Sequence, residues 1–270
     1  MASASESAAS RGSERPSLWR ATGPVLGGIL LCYYGLPLAW LVFARSPGAV
    51  LASLGDQFVV RAARNTLLSA TISTLLATVF GVPLGYWLAR AEFRGRTLVV
   101  ALVAFPLVLP PVVSGMLLLS AFGPSGLGSL TGVTVSGTLV GVVLAQTFVA
   151  SPFVVLSARS AFAGIDGRLE EAARTLGASD WHTFRRVALP LAGRGILAGV
   201  TLAFARAAGE FGATLMLAYY PRTLPVEIWA TFQRSSLDAA VPVAVVLVII
   251  ASAALVVINV VGASSLAVDG

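Results

Sequence analysis

The chain has 270 residues, of which 57% are apolar and only 11% charged, less than half the ~25% charged fraction of an ordinary soluble domain. That balance argues against a soluble single-core protein, and one Cys (Cys32) with one His (His182) leaves no disulfide framework or Cys/His metal cluster to be built from the chain's own residues. The net charge of +6 is carried by arginine without lysine and sits between apolar runs, so it reads as a topology signal and not as a nucleic-acid platform.

Residues 1–19 are rich in Ser and Ala and lack an apolar face, and a disordered tail is expected there. The apolar run at 23–44 follows Arg11, Arg15 and Arg20. It exceeds the roughly 7–15 apolar residues of a secretory signal, so an uncleaved first span is expected. Further runs at 66–89, 97–122, 135–158, 195–218 and 241–262 each reach the ~20 residues that carry a helix across the hydrocarbon core. Residues 20–265 are thus expected to form an all-α, multi-pass membrane domain of six helices with both termini on one side. Placing that side in the cytoplasm puts Arg11, Arg15, Arg20, Arg90, Arg94, Arg96 and the six arginines from Arg159 to Arg194 inside. Only Arg45, Arg61, Arg64, Arg222 and Arg234 fall outside, which is the positive-inside bias.

Proline lies within the spans: Pro83 in the second, Pro106, Pro110 and Pro111 in the third, Pro152 in the fourth. Such breakers survive in lipid where neighbouring helices or an aqueous cavity satisfy the freed carbonyls. The third span is a candidate pathway wall, and a kink that merely improves packing is equally compatible. Gly195 and Gly199, and Gly209 and Gly212, are small residues suited to close helix approach.

The loop 159–194 is helical in pattern but too polar for lipid. Asp166 is placed to cap a helix whose early Glu170 and Glu171 favour the positive end of its dipole. Leu169, Ala172, Ala173 and Leu176 follow at helical spacing as one narrow apolar stripe. Gly177 fits the left-handed position past the last turn, Ser179 a second cap, and Pro190 the stop of that second helix. Small alanines on an amphipathic helix suit docking in a partner's groove. An interfacial helix lying on the bilayer is the competing reading.

These residues carry a resemblance. Glu171-Ala172-Ala173, three residues, Gly177, nine residues, Val187, one residue and Leu189-Pro190 resembles the E-A-A-x3-G-x9-I-x-L-P motif of ABC-importer permeases, departing only by Val187 for isoleucine. The resemblance implies a type I permease fold in which this loop is a coupling helix seated on a cytoplasmic ATP-binding subunit, with Glu171, Ala172, Gly177, Leu189 and Pro190 in that role. A second run, Ala205 to Ala218 with Arg206-Ala207-Ala208-Gly209-Glu210-Phe211-Gly212-Ala213-Thr214, then Thr223 to Trp229, looks like the molybdate/tungstate permeases. Sulfate permeases carry a close variant. The family implies a homodimer around a central pathway, an extracytoplasmic oxyanion-binding protein as partner, and ATP with Mg used by the ATPase, no cofactor being bound by this chain.

Arg206 and Glu210 are the charges placed well inside a span, four residues apart, where they can pair. Intramembrane charges mark either a site or a structural pair. A dianion site would keep its arginine unneutralised, which favours the pair. Gly209, Gly212 and Thr214 are then candidates to line the path. His182, beside Trp181, is expected at a surface, and Cys32 as a small hydrophobe of the first span. Tyr219, Tyr220, Trp229 and Phe232 suit an aromatic belt, while Glu227, Arg234 and Asp238 suit a binding-protein contact equally well.

The chain has no G-x-x-x-x-G-K-[ST] phosphate loop, so the expected importer draws its energy from a partner and is not itself an enzyme. No serine, cysteine or carboxylate dyad accompanies the lone histidine for intramembrane catalysis. A sulfate/thiosulfate permease is the nearest alternative. A secondary anion transporter would leave the coupling motif unexplained and has only Glu210 as a buried carboxylate.

Overall fold

The computed structural model describes residues 18–43, 46–132 and 134–268. Most of the expected tail, with Arg11 and Arg15, and Arg45 as well, lies outside the described residues. Among these residues every regular element is helical, and six helices are long and apolar enough to cross a membrane. Two units are distinguished, Met1–Ser46 and Pro47–Gly270. In the first, helix α1 (Leu18–Phe43) is apolar along its length and holds Cys32 as a free thiol.

The second unit opens with α2 (Pro47–Gly55) and the long α3 (Gln57–Arg90). Helix α3 starts at Gln57, well before residue 66 where the continuous apolar run begins. Asp56 caps it, accepting a 2.7 Å hydrogen bond from the Phe58 N–H. Val59 and Ala62 bury an apolar stripe along that added length while Arg61 and Arg64 stay exposed. At 34 residues the helix is about 51 Å long, well over the ~30 Å hydrocarbon core.

The expected third span is two helices, α4 (Arg96–Val108) and α5 (Pro111–Phe122). Consecutive prolines cause the break: each pushes its predecessor out of the helical region, and Leu109 and Pro110 have ψ of 134° and 135°. Helix α6 (Leu127–Thr131) leads to α7 (Leu139–Ala163), the most buried of the spans, with Pro152 inside it.

Helix α7 packs between α3 and α10 (Leu189–Ala208). Lipid is as apolar as leucine, so burial alone drives little association in a bilayer and close packing decides. The core accordingly is rich in small residues, Ala70, Ala77, Ala150, Ala158, Ala192, Ala203 and Ala207 among them. Gly199 shows the reason: a Cβ there would sit 2.6 Å from the Ser157 Cβ and 3.0 Å from the Phe153 carbonyl oxygen. Gly195 meets the Ala161 Cβ at the same 2.6 Å, so both glycines serve contact with α7. Between α3 and α7, the Ser73 hydroxyl donates to the Val143 carbonyl at 3.1 Å. The last helix, α13 (Leu237–Val268), lays Ala254, Leu255 and Ile258 against this core.

Two further departures from expectation concern the loop 159–194 and the fifth span. Pro190 does not stop a helix. The loop helix α9 (Asp180–Thr183) runs through a π-helical turn (Phe184–Ala188) directly into α10. The Leu189 N–H reaches back to the Phe184 carbonyl, so the ladder widens at the point where Pro190, the second residue of α10, supplies no N–H. At the other end α10 stops at Ala208 and not at 218. Residues 209–211 break the helix, and α11 (Gly212–Leu217) and α12 (Leu224–Arg234) follow.

Candidate functional site

The loop helix α8 (Gly167–Thr175) is built as its sequence dictates. The Asp166 carboxylate accepts the Arg168 N–H at 3.0 Å. At the far end Gly177 has φ +88°. Its N–H bonds the Arg174 carbonyl at 2.9 Å while the Ala178 N–H bonds that of Ala173 at 3.0 Å. This is the paired closure that a left-handed glycine permits. Ser179 then caps α9 through the His182 N–H at 3.3 Å. Hydrogen bonding to Asp180, 2.9 Å away, raises the pKa of Arg174 and ties α8 to α9.

The outward side of α8 is apolar and open. Leu176 is 89% exposed and Leu169 49%; Glu171 and Ala172 are exposed beside them. Ala173, Leu176, Gly177, Ala178, Ser179 and His182 line a hollow of about 520 Å³. Leu189 packs half-buried on the main core and Pro190 is exposed at the start of α10. Of the expected coupling residues, Glu171, Ala172 and Gly177 therefore share α8 and its cap, with Leu189 and Pro190 on the next membrane helix.

Sequence reasoning missed the residue that fixes this helix. Glu170 is 2% exposed. Its carboxylate accepts the Tyr86 hydroxyl at 2.8 Å and two Arg90 guanidinium N–H groups, from Nε at 3.0 Å and Nη2 at 2.6 Å. Tyr86 in turn packs edge-on against Phe162 and meets Phe184, with centroid distances of 5.0 and 4.9 Å. The ends of α3 and α7 and the π turn thus grip α8 from its inner side. The signal available in the sequence was Arg90 ending one span and a carboxylate in a loop expected on the same side of the membrane.

The intramembrane pair forms as expected. An Arg206 guanidinium nitrogen lies against a Glu210 carboxylate oxygen, and Glu210 is fully buried while the Arg206 side chain is 29% exposed. Glu210 is not on α10, however, but at the break that follows it. Its second oxygen accepts the Ala213 N–H at 2.6 Å, so one carboxylate holds both α10 and the start of α11. Gly212 lets α11 approach α5: a Cβ there would lie 2.9 Å from the Pro111 Cβ and the Val112 nitrogen. Thr214 is completely buried and Gly209 exposed. Only Gly209 of the candidate path residues is open at this chain's own surface.

At the opposite end of α3 from Arg90, Glu227 is 2% exposed, which removes it as a direct contact for another protein. It receives Arg222 at 3.0 Å and Arg234 at 2.7 Å. Burial works against the charge on Arg222, but its hydrogen bond and attraction to Glu227, helped by Tyr219 and Tyr220, leave its pKa above the ordinary value.

Residues 81–268 match the family described as binding-protein-dependent transport system inner membrane component. The chain is 58% identical over 92% of its length, and 92% of the relative's, to a probable molybdenum ABC transporter permease protein of Haloferax volcanii. It is 44% identical over 84% of its length, and 89% of the relative's, to a molybdate/tungstate transport system permease protein of Pyrococcus furiosus. Among solved structures, a bacterial ABC transporter that imports the acidic polysaccharide alginate superposes with a TM-score of 0.70 at 17% identity, covering 92% of this chain and 95% of that one. A multi-pass helical body of that architecture, with an amphipathic loop helix pinned at one face, accords with this likeness, and the chain belongs to the family of binding-protein-dependent inner membrane transport components, as a permease subunit of an ABC transporter.

Proposed function

We propose that this permease carries molybdate or tungstate into the cell, as half of a homodimer whose two α8 helices each seat in a cytoplasmic ATPase. The observation that carries the coupling half of this reading is an amphipathic helix gripped on one side by Glu170 and bare on the other, with Leu169 and Leu176 exposed. A helix held only on its inner side transmits a push at its outer face to the ends of α3, α7 and α10. The cargo is supported by the names of relatives at 58% and 44% identity, together with the Arg206 to Thr214 run. ATP and Mg act in the partner ATPase, and a binding protein delivers the oxyanion from outside. The termini face the cytoplasm, in keeping with the arginine bias.

Uptake of radiolabelled molybdate into vesicles containing permease, ATPase and binding protein tests the cargo. Unlabelled tungstate is expected to compete at concentrations comparable to molybdate, and sulfate only in large excess. Equal competition by sulfate would move the assignment to the sulfate class.

A further inference from the structure

Three of the five arginines expected on the outer side, Arg61, Arg222 and Arg234, come together. With Asn65, Tyr220 and Glu227 they line a pocket of about 310 Å³ between the first turns of α3, the 218–223 segment and α12. We propose that this pocket is a low-affinity receiving site for a tetrahedral oxyanion dianion on the extracytoplasmic face, a proposal that rests on the orientation and cargo given above.

Charge is the first ground. Among the lining residues three guanidinium groups face one carboxylate, a surplus of two positive charges that matches a dianion. Glu227 is already taken up by Arg222, Arg234 and the Thr231 hydroxyl at 3.4 Å, so it braces two of the arginines and leaves the surplus in place. Arg61 makes one long hydrogen bond, 3.4 Å to Gln57 a turn earlier, and has no carboxylate within ion-pair distance among the described residues. Its remaining donors are uncommitted, and the buried Arg222 Nε is likewise without a partner.

Preorganisation is the second. Arg222 donates to the Tyr219 and Tyr220 hydroxyls at 3.0 and 2.7 Å, with its Cζ 4.8 Å from each ring centroid. Asn65 donates to the Arg222 carbonyl at 2.9 Å, and the Leu224 N–H donates to the Thr66 hydroxyl at 2.7 Å. These bonds fasten the 218–223 segment to α3, so an arriving anion meets positive groups already in place and orders little on binding.

Shape is the third. The groups converge from three separate elements, which suits oxygens pointing in several directions better than the two coplanar oxygens of one carboxylate. The volume equals that of about ten waters, room for an anion that keeps part of its hydration. That is the condition for weak, exchangeable binding of a cargo in transit. Arg61 and Asn65 precede the continuous apolar run that begins at residue 66, so the site belongs to the polar end of α3 and not to its lipid-crossing stretch.

The test is equilibrium binding of radiolabelled molybdate to the complete transporter, permease with ATPase in nanodiscs, in the absence of the binding protein. Saturable binding that weakens with salt is expected. Arg61→Gln should reduce its affinity roughly tenfold, the worth of a charged hydrogen bond, and Arg61→Lys should restore part of it. Arg61 is exposed on the outer turns of α3, so neither variant threatens the fold, and the melting temperature of the complex monitors integrity. If the unmodified transporter binds no oxyanion while its uptake is intact, the receiving site is wrong and the importer reading stands. If Arg61→Gln leaves anion binding unchanged but weakens capture of the binding protein, the pocket is a socket for a protein carboxylate and the proposal falls. Absence of oxyanion uptake by any route would instead overturn the reading on which the site rests.

Discussion

Glu210 and Glu170 are adjacent to nothing in common, yet each is a buried carboxylate that joins two elements through an arginine. For Glu210 the partners are Arg206 and the Ala213 N–H. Removing Arg206 leaves a charge in a place where water cannot compensate it, at a cost of ~3–5 kcal/mol for a buried pair. Arg206→Ala and Glu210→Ala are each expected to lower the melting temperature of the complex in detergent, and the double variant to regain part of the loss. Stable single variants with uptake selectively abolished would instead make Arg206 a ligand of the anion. For Glu170, Glu170→Ala removes the Tyr86 and Arg90 hydrogen bonds, worth about 1.5–3 kcal/mol for a charged acceptor. Hydrogen exchange is expected to accelerate within 166–179 while the core of α3, α7 and α10 keeps its protection. Glu171→Ala, on the exposed side, should leave that exchange unchanged.

At the level of elements, α8 depends on a backbone that only glycine adopts without penalty. A side chain at φ +88° costs about 1–2 kcal/mol and more when β-branched, and nothing lies within 4 Å of a Cβ at Gly177 to add a clash. Gly177→Val is therefore expected to fray the last turn of α8 and lower anion-dependent ATPase stimulation several-fold, with membrane insertion unaffected. Gly177→Ala should fall between. Both are read by ATPase assay beside the amount of permease in the membrane. The caps of α8 and of α9 were legible in the sequence because Asp166, Gly177 and Ser179 act within two to five residues along the chain. The choice between Glu170 and Glu171 was not, because it is made by Tyr86 and Arg90, some 80 residues earlier. Helix ends inside the membrane were misplaced for a related reason. Hydropathy runs smoothly across 195–218 and 97–122, whereas the breaks at 209–211 and 109–110 come from backbone effects, a carboxylate binding main chain in one and paired prolines in the other.

At the scale of the molecule, arginines of the second unit sort by the end of α3 at which they lie and then by task. Arg90 and Arg174 serve the α8 grip, and Arg61, Arg222 and Arg234 gather at the other end of α3. A cysteine introduced at Ser125, in the segment joining α5 to α6, is expected to react with an impermeant thiol reagent from outside, and one at Ser179 only after permeabilisation. The reverse pattern would invert the orientation and separate the exposed stripe of α8 from any cytoplasmic ATPase. The central claim is that this stripe is where ATP hydrolysis meets the permease. It is tested most directly by the ratio of ATP hydrolysed to molybdate imported in vesicles carrying permease, ATPase and loaded binding protein, for the unmodified chain and for Leu176→Asp. Leu176 is 89% exposed, so the charge costs this chain's fold little and acts on the partner's groove. Loss of both uptake and stimulated hydrolysis in Leu176→Asp, with permease still inserted, is the expected result; an unchanged ratio at an unchanged rate would contradict it.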